Sequence, residues 1–98
     1  MKAYVLIERR VSDAQVDAID RELAAAAITR HGGRYLARGG RIEVLEGDWK
    51  APECLLIVEF DSLEQAQRFY DSPEYQQARA ARGAAAAVNM LAVEGLPL

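Results

Sequence analysis

A single cysteine and a single histidine leave little material for metal or thiol chemistry in this chain of 98 residues. Zinc sites gather several Cys, His, Asp or Glu ligands at characteristic spacings, and no such spacing joins His31 to Cys54. One cysteine cannot form an internal disulfide. Cys54 runs into the apolar stretch Leu55–Val58 and reads as a small core residue rather than a nucleophile, because no base is tied to it. The chain also lacks a phosphate-cradling glycine loop, a dinucleotide fingerprint and a nucleophile elbow. Long hydrophobic runs are missing too. The first apolar segment, Ala3–Ile7, stops at Glu8-Arg9-Arg10, short of a signal peptide's hydrophobic region and of the ~18 residues a membrane span requires. With no disulfide pair and no export signal, the expectation is a cytoplasmic protein with no membrane partner, no metal and no cofactor.

An excess of positive charge is likewise absent. The formal net charge of −3 argues against nucleic acid as a partner, since phosphate binding needs a basic surface. One local exception stands out: Arg30, Arg34, Arg38 and Arg41 lie close together around His31. The bland explanation is a solvated face that pairs with Glu43, Glu46 and Asp48. The sharper one is a docking point for a small anion, because guanidinium grips carboxylate or phosphate with two parallel bonds.

What is present is ordinary globular composition, 51% apolar and 28% charged, so a folded core is expected rather than disorder. The length suits one domain over residues 1–98. Lys2–Arg9 is expected as a strand. Ser12 with Gln15 has the form of a capping box opening a helix whose apolar stripe is Val16, Ile19, Leu23 and Ala26/Ala27, with Asp17, Asp20, Arg21 and Glu22 around the rest of the wheel. Gly32-Gly33 closes that helix near His31. Arg34–Arg38 and Arg41–Glu46 are two extended pieces, either a tight hairpin or one bulged strand across Gly39-Gly40. Cys54–Phe60 is the clearest strand. Ser62 with Gln65 repeats the cap, Ser72-Pro73 breaks and restarts the second helix, and Gly83 ends it. A last strand lies within Ala84–Glu94. The order strand–helix–strand, taken twice, predicts an α+β fold: a ferredoxin-like βαββαβ unit with an antiparallel sheet. The recurring caps hint at internal duplication.

Helices on one side of such a sheet cover one face only, and the other face should then be polar. It is not: Ala3–Ile7, Cys54–Val58 and Met90–Val93 are apolar on both sides. At ~25 cal/mol per Å² of apolar surface, leaving several Leu, Ile and Val side chains in water forgoes several kcal/mol. A two-fold partner stacked sheet against sheet resolves this, so a homodimer is expected.

Two segments carry a family resemblance: Gly32-Gly33-Arg34-Tyr35-Leu36-Ala37-Arg38-Gly39-Gly40 with Glu43-Val44-Leu45-Glu46-Gly47-Asp48-Trp49, and Phe69-Tyr70-Asp71-Ser72-Pro73-Glu74-Tyr75-Gln76. They resemble the domain-of-unknown-function family numbered 1330, within the dimeric α+β barrel superfamily, and the resemblance runs from Ala3-Tyr4-Val5 to Val93-Glu94-Gly95. It implies a ferredoxin-like protomer, a barrel-like dimer and a cleft between sheet and helices, but not an activity, because that superfamily holds enzymes and binding domains alike. Members often carry aromatics on the first helix, where this chain has Asp17 and Asp20.

The candidates to line that cleft are His31, Arg38, Trp49, Tyr70 and Tyr75. Trp49 sits in a glycine-flanked loop, as a stacking surface for a flat ligand or as a core lid or dimer contact. Tyr70 and Tyr75 flank the helix break, where packing with a satisfied hydroxyl is the commoner role. Arg38 precedes glycines that let a ligand approach the backbone closely. His31 carries an imidazole suited to proton transfer, though a helix C-terminus accounts for it equally. The expected function is binding of a small anionic or aromatic metabolite, with a cofactor-independent monooxygenase- or isomerase-like enzyme and an interaction-only dimer as alternatives.

Overall fold

A computed structural model describes residues 1–97, apart from the side chains at positions 14, 16 and 17, so the expectations for Val16 and Asp17 lie outside the described residues. The elements are β1 (Ala3–Val11), α1 (Ala14–Arg30), β2 (Arg34–Arg38), β3 (Cys54–Phe60), α2 (Leu63–Asp71), α3 (Pro73–Arg82) and β4 (Ala86–Glu94). The strands form one antiparallel sheet in the order β2-β3-β1-β4, the ferredoxin-like arrangement expected from the sequence. Apolar β1 and β3 take the two central places, where a strand is hydrogen-bonded on both sides.

Register decides which side chains meet the helices. Val5 stands opposite Val58 on one side and Ala92 on the other. Ala3, Val5 and Ile7 are buried together with Leu56, Val58 and Phe60. Ala27 and Ile28 of α1, Ala66 and Phe69 of α2, and Tyr75 and Ala78 of α3 complete the core. Four rings run through it in a chain: Phe60 to Phe69 at 5.3 Å, Phe69 to Tyr75 at 4.9 Å, and Tyr75 to Tyr70 at 5.3 Å. These centroid spacings fall within the range of favourable aromatic pairs.

The helix ends follow local chemistry. Ser62 Oγ accepts the Gln65 amide at 3.0 Å, and Gln65 Oε1 accepts the Asp61 amide at 3.1 Å, an expected cap. Ser72 serves two helices: its hydroxyl accepts from the Tyr75 amide at 3.2 Å and donates to the Phe69 carbonyl at 2.7 Å. Gly32, at φ 81°, gives the left-handed turn that ends α1, and the Gly33 amide reaches back to the Ile28 carbonyl at 2.8 Å.

Three expectations change. Ser12 does not cap α1: its hydroxyl donates to the Ala84 and Ala85 carbonyls, and Asp13 Oδ1 accepts the Gln15 amide instead. The two halves are therefore capped differently, and the hint of duplication loses its support. The stripe on α1 is rotated, with Ile19 exposed at 56% and Asp20 fully buried, so it reads Asp20, Leu23/Ala24 and Ala27/Ile28. Arg41–Glu46 is no strand; neither the hairpin nor the bulged continuation forms, and residues 39–53 contain no helix or strand. Gly39, at φ 72°, turns the chain out of β2, and the charges that follow favour water over a sheet edge.

The sheet face away from the helices carries an apolar centre, as the strand composition implied, flanked by Glu8, Asn89, Glu59 and Arg34. Tyr4, Leu6, Leu55 and Ile57 are half-buried there, while Leu91 and Val93 are 58% and 50% exposed. Among the described residues no helix is long and apolar enough to cross a membrane.

Candidate functional site

On the helix side a cleft of about 480 Å³ lies between β4 and the α2–α3 pair. β4 supplies its floor over Val88–Ala92, and α2 and α3 supply Phe69, Tyr70, Tyr75, Arg79 and Arg82. Each group is placed by the helix break at Ser72. The cap turns α3 away from α2, so Tyr70 on the last turn of one helix and Tyr75 on the first turn of the next converge in one aromatic wall. From Tyr75 the helical spacing then brings Arg79 and Arg82 to the same face.

The two arginines are held differently. Arg79 Nη1 donates to Gln76 Oε1 at 3.1 Å, and its guanidinium carbon lies 5.6 Å from the centre of the Tyr70 ring. Arg82 is largely buried, with its Nη1 3.9 Å from Asp20 Oδ2. Asp20, with no exposure, also accepts Arg9 Nη2 at 2.5 Å, and Arg9 too is buried. Among the described residues no Asp, Glu or His borders the cleft, so it presents rings and guanidinium groups without a carboxylate or imidazole. That combination suits a flat molecule bearing negative charge.

A second, much smaller recess of about 20 Å³ lies beyond Tyr75 and Met90, which border both spaces. Arg9, Arg21, Tyr35 and Arg38 line it. A bulge at Leu36 shifts the β2–β3 register, so Tyr35 and Arg38 share the helix side although they are three apart in sequence. The Arg38 guanidinium stacks 4.4 Å from the centre of the Tyr35 ring. Burial raises the Tyr35 hydroxyl pKa above its usual value, against the opposing field of Arg38, Arg21 and Arg9.

The five residues singled out from the sequence do not converge. Tyr70 and Tyr75 line the main cleft, and Arg38 lies beyond Tyr75 in the recess. His31 ends α1 outside both spaces; its Nε2 is 3.6 Å from Glu74 Oε2, and its carbonyl accepts Gln65 Nε2 at 2.6 Å. Trp49 is on the other side of the sheet, 63% exposed, over Leu6, Leu55 and Leu91. Arg10 fixes that loop by donating to the Lys50 and Ala51 carbonyls at 2.8 and 3.2 Å. The arginine cluster also disperses, with Arg30 reaching Glu74 and Arg34 reaching Glu59 and Asp61. Arg9, Asp20, Arg79 and Arg82 went unnoticed as site residues. The signal for two of them was present, since Tyr75, Arg79 and Arg82 follow helical spacing.

A four-stranded antiparallel sheet backed on one face by three helices, with a cleft between them, defines the ferredoxin-like α+β class seen in dimeric α+β barrel proteins. Within it, the chain belongs to the family described as Domain of unknown function (DUF1330), whose model matches residues 2–96. Among solved structures, the chain is similar to RPA0582, a protein of unknown function from Rhodopseudomonas palustris, with 16% identity, a TM-score of 0.75, and coverage of 99% of this chain and 84% of that one. It is also similar to SnoaB, a cofactor-independent oxygenase from Streptomyces nogalater, at 13% identity and a TM-score of 0.67 over 99% of this chain and 95% of that one. Rv0793 from Mycobacterium tuberculosis is 22% identical with a TM-score of 0.55 and full coverage of both chains. These likenesses concern the fold. No curated protein matches the chain in sequence.

Proposed function

We propose that this protein acts as a homodimer that binds a small aromatic anion in the cleft between β4 and the α2–α3 pair. The observation that carries the proposal is the composition of that cleft: about 480 Å³, walled by Tyr70 and Tyr75 and bordered by Arg79 and Arg82. The volume lies in the range of small-molecule sites, commonly about 300–1,000 Å³. The apolar centre of the opposite sheet face, where Leu91 and Val93 are exposed, supports self-association.

Thermal-shift and calorimetric titration with 1-naphthoate and its neutral amide, 1-naphthamide, tests the ligand class. The expected result is stabilisation by the carboxylate well above that by the amide, reduced about tenfold in affinity by Arg79→Ala, as befits loss of a charge-assisted contact. Equal response to both compounds, or none, would reject an anion site. An oxygenase like SnoaB is a second activity known on this fold, but a cleft without a bordering carboxylate or imidazole favours binding over proton-transfer chemistry.

A further inference from the structure

We propose that Asp20 is a positioning residue, holding the Arg82 guanidinium against the cleft wall in the orientation that grips the anion. The inference rests on the cleft being an anion site and adds which residue, outside the cleft, sets its charge geometry.

Asp20 occupies a place on α1 that packing alone would give to an apolar side chain, in line with Leu23/Ala24 and Ala27/Ile28. Among the described residues the buried charged side chains are Arg9 and Asp20. A buried ion pair is poor stabilisation compared with apolar residues of the same volume, so its presence calls for another reason. The surroundings supply one. Small residues at the buried positions of the facing helices, Ala27 on α1 and Ala78 on α3, allow close approach, and the last turn of α3 brings Arg82 within 3.9 Å of Asp20. Asp20 thus joins β1 through Arg9, and α3 through an arginine that borders the cleft.

The carboxylate has capacity left for this task. Both arginines face Oδ2, and Oδ1 accepts no hydrogen bond among the described residues although it is buried. A carboxylate has room for two parallel bonds from one guanidinium, so a small rotation of Arg82 would complete the pair. An arginine drawn toward a buried carboxylate at 3.9 Å loses less side-chain entropy when an anion arrives than a free one. Arg79, whose direct contacts are Gln76 and the Tyr70 ring, is exposed and lacks that restraint. The site thereby has one restrained cation and one adjustable one.

The informative variant is the double substitution Asp20→Asn with Arg9→Met, which removes both charges of the buried Arg9–Asp20 pair and frees Arg82. Arg82→Gln serves as the reference. Both are titrated with 1-naphthoate and 1-naphthamide, and the Arg82 side-chain N–H signals are followed by nitrogen-resolved NMR. The double variant should lose about tenfold in naphthoate affinity, approaching the Arg82→Gln protein, with naphthamide unchanged. Its Arg82 signals should collapse toward those of a freely rotating guanidinium. Unchanged naphthoate affinity in the double variant would overturn the role of Asp20. If the wild-type protein binds neither compound, the cleft reading fails instead. Arg82 signals that do not change in the double variant would refute the positioning whatever the affinities.

Discussion

Gly33 shows how little room the core leaves around the end of α1. A Cβ there would lie 2.7 Å from Ile28 Cγ2 and 2.9 Å from Phe60 Cζ, whereas one on Gly40 would meet nothing within 4 Å. Gly33→Ala should therefore lower unfolding stability by about 1–3 kcal/mol, the range for overpacking, while Gly40→Ala stays within about 0.5 kcal/mol; urea denaturation of the two variants checks this. The exposed carboxylates act through charge instead. Glu59 is held below its ordinary pKa of 4.5 by Arg34, and Asp61 below 3.8 by Lys2 and then Arg34. Each folded value is depressed, so the stabilisation is complete above the unfolded value and disappears as the pH falls through the folded one. In Arg34→Ala the loss of stability on acidification below about pH 5 should be shallower, as read from thermal midpoints across the acid range. Residue chemistry was least legible where charge and burial disagree: Asp20 and Arg9 sit among other charges in the sequence, and nothing local distinguishes a buried pair from a solvated one. Ile19 errs the opposite way, an apolar side chain that the rotation of α1 leaves in water.

At the scale of elements, the break between α2 and α3 organises the cleft, and Ser72 maintains the break. Ser72→Ala removes an acceptor for the Tyr75 amide and a donor to the Phe69 carbonyl at a buried position. A loss of about 1–2 kcal/mol is expected, toward the upper end for a cap, while Ser62→Ala should sit nearer 1 kcal/mol; chemical denaturation compares the two. Element order, both ends of the second helical region and the glycine end of α1 were all readable, because caps, proline and glycine act over a few neighbouring residues. The start of α1 and the fate of residues 39–53 were not. Ser12 is claimed by carbonyls at Ala84 and Ala85, far away in sequence, and a strand at Arg41–Glu46 depends on a pairing partner that local pattern cannot supply.

For the whole molecule, the apolar outer face of the sheet sets the expected assembly. Light scattering should give twice the chain mass of 10.8 kDa at micromolar concentration. Leu91→Asp, at a side chain 58% exposed in the single chain, should leave the fold intact and yield the monomer. The sole tryptophan, Trp49, offers a second measure, since its 63% exposure should fall on association and move its emission to the blue. The need for a cover was legible from strands apolar on both sides; that Trp49 belongs to this face, rather than to the cleft, was not, because the loop that carries it has no periodicity to read.

β4 lies at the margin of the sheet, bonded to β1 alone, and the same strand floors the cleft. Marginal strands open more readily than central ones, so their amides trade protons with solvent sooner. A molecule resting on Val88–Ala92 would pin that strand and slow the exchange there selectively. Deuterium uptake along β4 would thus report occupancy of the cleft for any compound, without a label and without a reaction to follow.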